Sequence, residues 1–321
     1  MSNSCQIGSA LALLLLSGVA VANNATQQAP NTFKDCDDCP EMVIVPAGRV
    51  MLGAGSDAFD RKPTERVRRE AVIAMPYALA QHEVTRAQFA AFVAATRYVP
   101  SRGVVDGKLT PAGCNYWNGR YGFVPAHDWR NPGFVQRDDE PVVCVSFADA
   151  EAFAAWLTRR TGRAYRVPSS VEFEYAARAG SDAAWYWGNQ SEEACLHANI
   201  ADQTLAQRWP SRQSYHCDDG FEHTAPSKRF QPNAFGLYDM IGNAWEWTAD
   251  CWRDDLADAP TDGSAQRAPG GDCAFRTPMG GSWISGPGWS RASVRSKDPE
   301  HYRSFMLGFR VAAETEKLSR R

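Results

Sequence analysis

Apolar and polar positions follow recognisable rhythms in the first half of the chain and lose them in the second. Met42-Val43-Ile44-Val45 is a β-branched run stopped by Pro46 and Gly48, which predicts a short strand. Val84, Phe89, Phe92 and Val93 recur at helical spacing and predict a helix within 84–96. A second helix is predicted after Ser146, a capping residue, where Phe147, Ala150, Phe153, Ala154 and Leu157 form one apolar stripe before Gly162. A third follows Pro168, with Ser169 and Glu172 as an S-x-x-E capping box and Gly180 as its stop. Beyond Gly180, turn-forming residues recur every few positions and no helical period is sustained. Trp245, Trp247, Trp252, Trp283 and Trp289 crowd into this part, so it reads as ordered loops built around aromatics. No repeat or linker divides the chain after residue 42, and one domain is expected.

The first residues have another character. Positions 10–22 are an apolar run ending in Ala20-Val21-Ala22, too short to span a bilayer and suited to the core of a secretory signal peptide. No Lys or Arg precedes the run, which departs from the usual pattern. The expected division is a signal peptide over 1–22, a flexible polar lead-in over 23–40, a domain over 41–313 and a polar tail over 314–321. The mature protein is then exported to the periplasm without a transmembrane segment. Cleavage removes Cys5 and leaves Cys36, Cys39, Cys114, Cys144, Cys195, Cys217, Cys251 and Cys273. An even number in an exported chain reads as disulfides whose pairing the sequence leaves open. Neighbour pairing of Cys195 with Cys217, or of Cys251 with Cys273, would stabilise by about 3 kcal/mol each. Cys36-Asp-Asp-Cys39 lacks the second ligand pair of a zinc site and the frame of a thioredoxin motif, and reads as a structural bridge.

Charge excludes more than it suggests. With 34 basic and 37 acidic residues the net charge is −3, without the basic excess of a nucleic-acid binder. An apolar content of 44% excludes a disordered chain. The most distinctive segment is 233–248, which mixes turn formers and aromatics with Asp239, Asn243 and Glu246. Calcium takes six to eight oxygens from carboxylates, amides and carbonyls, and a loop of this kind supplies them. The bland alternative is a buried turn whose carboxylates satisfy nearby amides.

This segment, together with Tyr165-Arg-Val-Pro-Ser-Ser-Val-Glu-Phe-Glu-Tyr-Ala-Ala-Arg178, Gly280-Gly-Ser-Trp283 and Gly308-Phe-Arg-Val311, resembles the formylglycine-generating enzyme (sulfatase-modifying factor) family. Met42 to Gly53, His82-Glu83-Val84-Thr85 and 141–150 match its opening sections in order. The resemblance implies an α+β, C-type-lectin-like single domain with long ordered loops, little regular secondary structure and structural calcium. One implied calcium site uses Asp239, Gly242, Ala244 and Glu246, and the other Asn199, Ile200, Asp219 and Phe221.

The activity carries over less completely. The classical enzymes bind copper(I) through two cysteines after the Gly-Gly-Ser motif, and here Ser285 and Ser290 stand at the corresponding places. Hydroxyls are poor copper(I) ligands, so copper-dependent sulfatase activation is not expected. Two readings follow. One is a regulator or accessory factor of the type VI secretion signalling type, which would hold a peptide or protein partner in a cleft of Trp245, Trp283, Trp289 and Arg291. The other is a periplasmic oxidase of a peptide natural product, as in pyoverdine maturation, acting on a peptide-derived small molecule without cysteine chemistry. Glu300 and His301 are then the candidate proton-abstracting groups, beside Ser285 and Ser290.

Overall fold

The protein is described from a computed structural model covering residues 30–56, 58–100, 104–105, 108–109, 113–117, 120–210, 213–268 and 273–317. The predicted signal peptide lies outside the described residues. The three predicted helices form where their caps stand. In α1 (Arg86–Thr96) the Thr85 hydroxyl accepts from the Gln88 amide, and the Gln88 side chain accepts from the Thr85 amide at 2.9 Å. Ser146 and Asp149 repeat this exchange at the start of α2 (Phe147–Thr161), which Gly162 ends in the left-handed region. Ser169 and Glu172 do the same for α3 (Ser170–Arg178). Here the left-handed turn begins one residue before the expected glycine, at Ala179.

The helices pack on a five-stranded antiparallel sheet. Its strands are β1 (Thr32–Lys34), β2 (Glu41–Val45), β3 (Tyr77–Ala80), β4 (Arg163–Arg166) and β5 (Ala312–Lys317), in spatial order β1-β2-β3-β5-β4. Two expectations are corrected at its edges. Within the expected lead-in, the described residues 30–40 are structured, because β1 pairs with β2 and the Asp35 carboxylate accepts hydrogen bonds from Arg163 and Tyr165. The polar tail is a sheet strand as far as Lys317, because β5 pairs with both β3 and β4.

Alternate residues of the inner strands bury both faces of the sheet. Met42, Ala78, Ala80 and Ala313 meet α1 and α2 through Phe89, Phe92, Phe153 and Leu157. Val43, Val45, Tyr77, Leu79 and Ala312 meet the other side, with Val171 and Phe173 of α3 and the hairpin of Gly48–Leu52 and Arg69–Ile73.

The remainder is mostly loop, tied by two devices. All eight described cysteines are paired: Cys36–Cys39, Cys114–Cys144, Cys195–Cys217 and Cys251–Cys273. The Cys36–Cys39 bridge is the one expected from the sequence, and Cys114–Cys144 is a pairing that spacing did not suggest. The second device is a series of buried arginines late in the chain. Arg291, Arg295, Arg303 and Arg310 each bind a buried carboxylate from an earlier element: Glu65, Glu174, Asp149 and Glu246, at 2.5–2.9 Å. No helix among the described residues is long and apolar enough to cross a membrane.

Candidate functional site

The Gly-Gly-Ser motif opens a tight loop that forms one wall of a cleft. The Ser285 amide donates to the Ser282 carbonyl, and the Ser285 hydroxyl accepts from the Ser282 amide at 3.0 Å, which closes the turn. Gly286 is required by contact: a Cβ there would lie 2.3 Å from the Gln213 carbonyl oxygen. Against this loop lies a cavity of 380 Å³ lined by Trp245, Trp289, Ser285, Gln213, Ile284 and Met306. The Trp245 and Trp289 rings stand 6.5 Å apart and nearly perpendicular. Trp289 is 45% exposed, and the Lys62 ammonium lies 4.3 Å from its ring centroid. A half-open site with two indoles and a hydroxyl is suited to a planar, partly polar group.

Only some of the expected site residues meet here. Trp245, Trp289 and Ser285 line the cleft, whereas Trp283 is buried beneath it, edge-on to Phe305 and His223. The Ser290 hydroxyl is fully buried, 2.7 Å from the Tyr215 hydroxyl and donating to the Gly286 carbonyl. Arg291 does not present its charge to the cleft. Its guanidinium binds Glu65 at 2.5 Å and the Phe59 carbonyl at 2.6 Å, because a buried arginine needs a carboxylate more than a cleft needs an arginine. Glu300 and His301 also stand apart from it. The Glu300 carboxylate is 3.3 Å from Arg276 and its carbonyl accepts from the first amide of α2, while His301 is exposed.

The segment 239–246 crosses a buried acidic cluster. Asp239, Gly242 and Asn243 all take left-handed backbone, which folds the loop back on itself. Gly242 lies so close to the neighbouring chain that a Cβ would meet the Asn199 carbonyl oxygen at 2.2 Å. That approach brings the two expected calcium sets side by side, with the Asn243 amide donating to the Asn199 carbonyl. Both Glu246 oxygens accept from Arg310, at 2.6 and 2.7 Å. The Asp239 Oδ2 accepts from the Lys228 amide, but its Oδ1 is buried without a partner, as are both Glu83 oxygens. Burial, and then the nearby Asp239 charge, raises Glu83 well above the usual carboxylate range. Burial likewise pushes Asp239 up to about 6 and raises Glu246 against the opposing pull of Arg310.

Of the three buried carboxylates only Glu246 is bonded to the Arg310 guanidinium, and oxygens of Glu83 and Asp239 remain unpartnered. The unpartnered oxygens of Glu83 and Asp239 are hard donors of the kind a cation such as calcium takes, whereas Arg310 already occupies both oxygens of Glu246. In the second set the Asn199 Oδ1 is buried and unpartnered, while Asp219 accepts from the amides of Ile200 and Phe221, at 2.9 Å each. Burial pushes Asp219 up to about 7. Among the described residues, the group of three side-chain ligand atoms from His, Cys, Asp or Glu lying within 4.8 Å of one another is Cys36, Asp38 and Cys39, whose thiols are joined.

The resemblance singled out neither Glu83 nor Arg310, although both stand in motifs quoted for it. An ionisable residue flanked by Ala78-Leu79-Ala80 and Val84 is the signal that could have found Glu83. Gln213 and Met306 reach the cleft from loops without any pattern.

Residues 27–315 match the sulfatase-modifying factor enzyme 1-like domain. A formylglycine-generating enzyme of Mycobacterium tuberculosis is 30% identical over 310 residues, which cover 85% of this chain and 98% of that protein. The inactive C-alpha-formylglycine-generating enzyme 2 of Mus musculus is 30% identical over 302 residues, covering 85% and 86%. Among solved structures, PvdO from Pseudomonas aeruginosa superposes with a TM-score of 0.73 at 35% identity, covering 89% of this chain and 98% of that one.

Proposed function

The chain belongs to the sulfatase-modifying factor family, and from that premise we propose that it is an exported member that binds a peptide-derived small molecule at Trp245 and Trp289 and serves in its oxidative maturation. The observation that carries this reading is a cleft with Ser285, not a thiol, beside the two indoles. Every described cysteine is in a disulfide, so the thiolate route to copper(I) is closed to them. Similarity to PvdO over nearly the whole of both chains supports the maturation reading over the regulatory one.

The test is to incubate the purified protein with peptide siderophore precursors and oxygen while substrate mass is followed. Loss of a hydrogen pair, abolished in Trp289→Ala, supports the proposal. Glu300→Gln is expected to leave the reaction unchanged, since Glu300 faces Arg276. Stoichiometric capture of a ligand or periplasmic protein without mass change would replace maturation with the regulatory reading.

The same proposal includes structural calcium. Glu83 and Asp239 would hold one ion and Asn199 would contribute to another, each offsetting oxygens now buried without partners. Because a cation competes with protons for these raised carboxylates, chelation should lower the melting temperature more above pH about 7 than below pH about 5. An unchanged melting temperature at both would remove calcium.

A further inference from the structure

The cleft does not end at Gln213. That residue also lines a second cavity of 580 Å³, bounded by Phe59, Trp185, Tyr215 and Pro287. Phe59, Trp185 and Asn189 are in turn shared with a third cavity of 400 Å³, which reaches Arg68 and Asp182. Three spaces with common walls make one trough, and each is in the range that holds a small ligand or part of a larger one.

Its walls change character along its length. At the first end stand the paired indoles of Trp245 and Trp289. In the middle the surface is open and mixed: Phe59, 59% exposed, is a large aromatic left in water near Pro287, with Asn189, Ser191, Ser214 and His216 as polar neighbours. At the far end Arg68 and Asp182 are both exposed, and neither has an ion-pair partner among the described residues. The arginines beneath them are already neutralised, Arg178 by Glu174 and Arg291 by Glu65. The far end therefore offers one free charge of each sign.

Two contacts also join the walls of the first two cavities. The loop that carries Phe59 and Lys62 is fastened to the loop that carries Trp289, through Arg291 to the Phe59 carbonyl and through Lys62 over the Trp289 ring.

We propose that the space between Phe59 and Trp185 is a second subsite, continuous with the Trp245–Trp289 cleft, which takes the extended peptide tail of a ligand whose planar group occupies that cleft. The tail bears both an acid and an amine, which meet Arg68 and Asp182. This rests on the reading that the cleft binds a peptide-derived molecule, and it adds length and charge to that ligand.

Isothermal titration with three probes tests it. The first is N-acetyl-tyrosine amide. The second is a hexapeptide with an amino-terminal tyrosine and a tail of alternating Asp and Lys. The third has the same length with a Ser-Gly tail. The charged hexapeptide should bind at least about tenfold tighter than the short probe, the gain expected from charge-assisted contacts at a partly open site. Phe59→Ala should erase the advantage of both long probes and leave the short probe unchanged. The double variant Arg68→Ala, Asp182→Asn should erase only the preference for the charged tail. Both sets of side chains are exposed, so these variants should fold. Equal affinity of the short and long probes for the unaltered protein overturns the subsite while leaving the cleft reading intact. Failure of all three probes to bind overturns both.

Discussion

The helix-backed sheet and the loop half of this molecule are stabilised by different interactions. The sheet buries alternate apolar residues on two faces, and its helices begin at local capping exchanges. The loop half has short stretches of backbone ladder and depends on disulfides and on four buried arginine–carboxylate pairs. An apolar core tolerates volume-conserving change, whereas a buried ion pair tolerates loss of neither partner alone. The comparison teaches that the part of the chain with least regular structure has the most exacting side-chain requirements. The cleft is built there.

The largest effect that would break this comparison is at Glu246 and Arg310. Arg310→Met strands the buried Glu246 carboxylate and should cost about 3–5 kcal/mol in urea unfolding. Glu246→Gln in the same background should recover part of that loss. A cost for Arg310→Met below that of the volume-conserving Leu157→Met in the sheet core would invert the comparison.

A smaller effect separates the halves by pH. Burial lowers His82 from 6.5 to about 4, although its Nδ1 donates to the Glu83 carbonyl. The unfolded chain then binds the proton more readily than the folded one. This contribution is intact above pH about 6.5 and is lost as pH falls towards about 4, on the order of 3 kcal/mol. His82→Gln should flatten that part of the stability profile, and an unchanged slope would show that other groups set it.

The smallest effect sharpens the distinction between structure and site. Trp289→Ala removes a half-exposed ring and should change stability by only about 1 kcal/mol. Its consequence should appear in ligand titration. A large loss of melting temperature would instead make Trp289 part of the scaffold.

What could be read from the chain follows the same boundary. Ser146 with Asp149 and Ser169 with Glu172 act within one turn, so their caps were visible as local spacing. The strand at Met42 was visible because burial selects β-branched residues in sequence. Arg291 with Glu65 and Arg310 with Glu246 join residues far apart in the chain, and no local pattern marks a partner at that range. For this reason Arg291 read as a cleft residue while it is a buried tie. Glu300 and His301 stand near the cleft in sequence but face Arg276 and solvent. Trp245 and Trp289 were legible as aromatics in a loop region, but Gln213 and Met306 enter the cleft only because the loops close.

The position of β5 has one more consequence. Ala312–Lys317 is the last strand among the described residues, yet it lies inside the sheet, between β3 and β4. The preceding strands cannot be joined across that gap until these residues are available, and their contacts span most of the chain. Completion of the core therefore waits until these residues have been synthesised. A truncation of only the final strand would leave an open-centred sheet instead of a shorter native one.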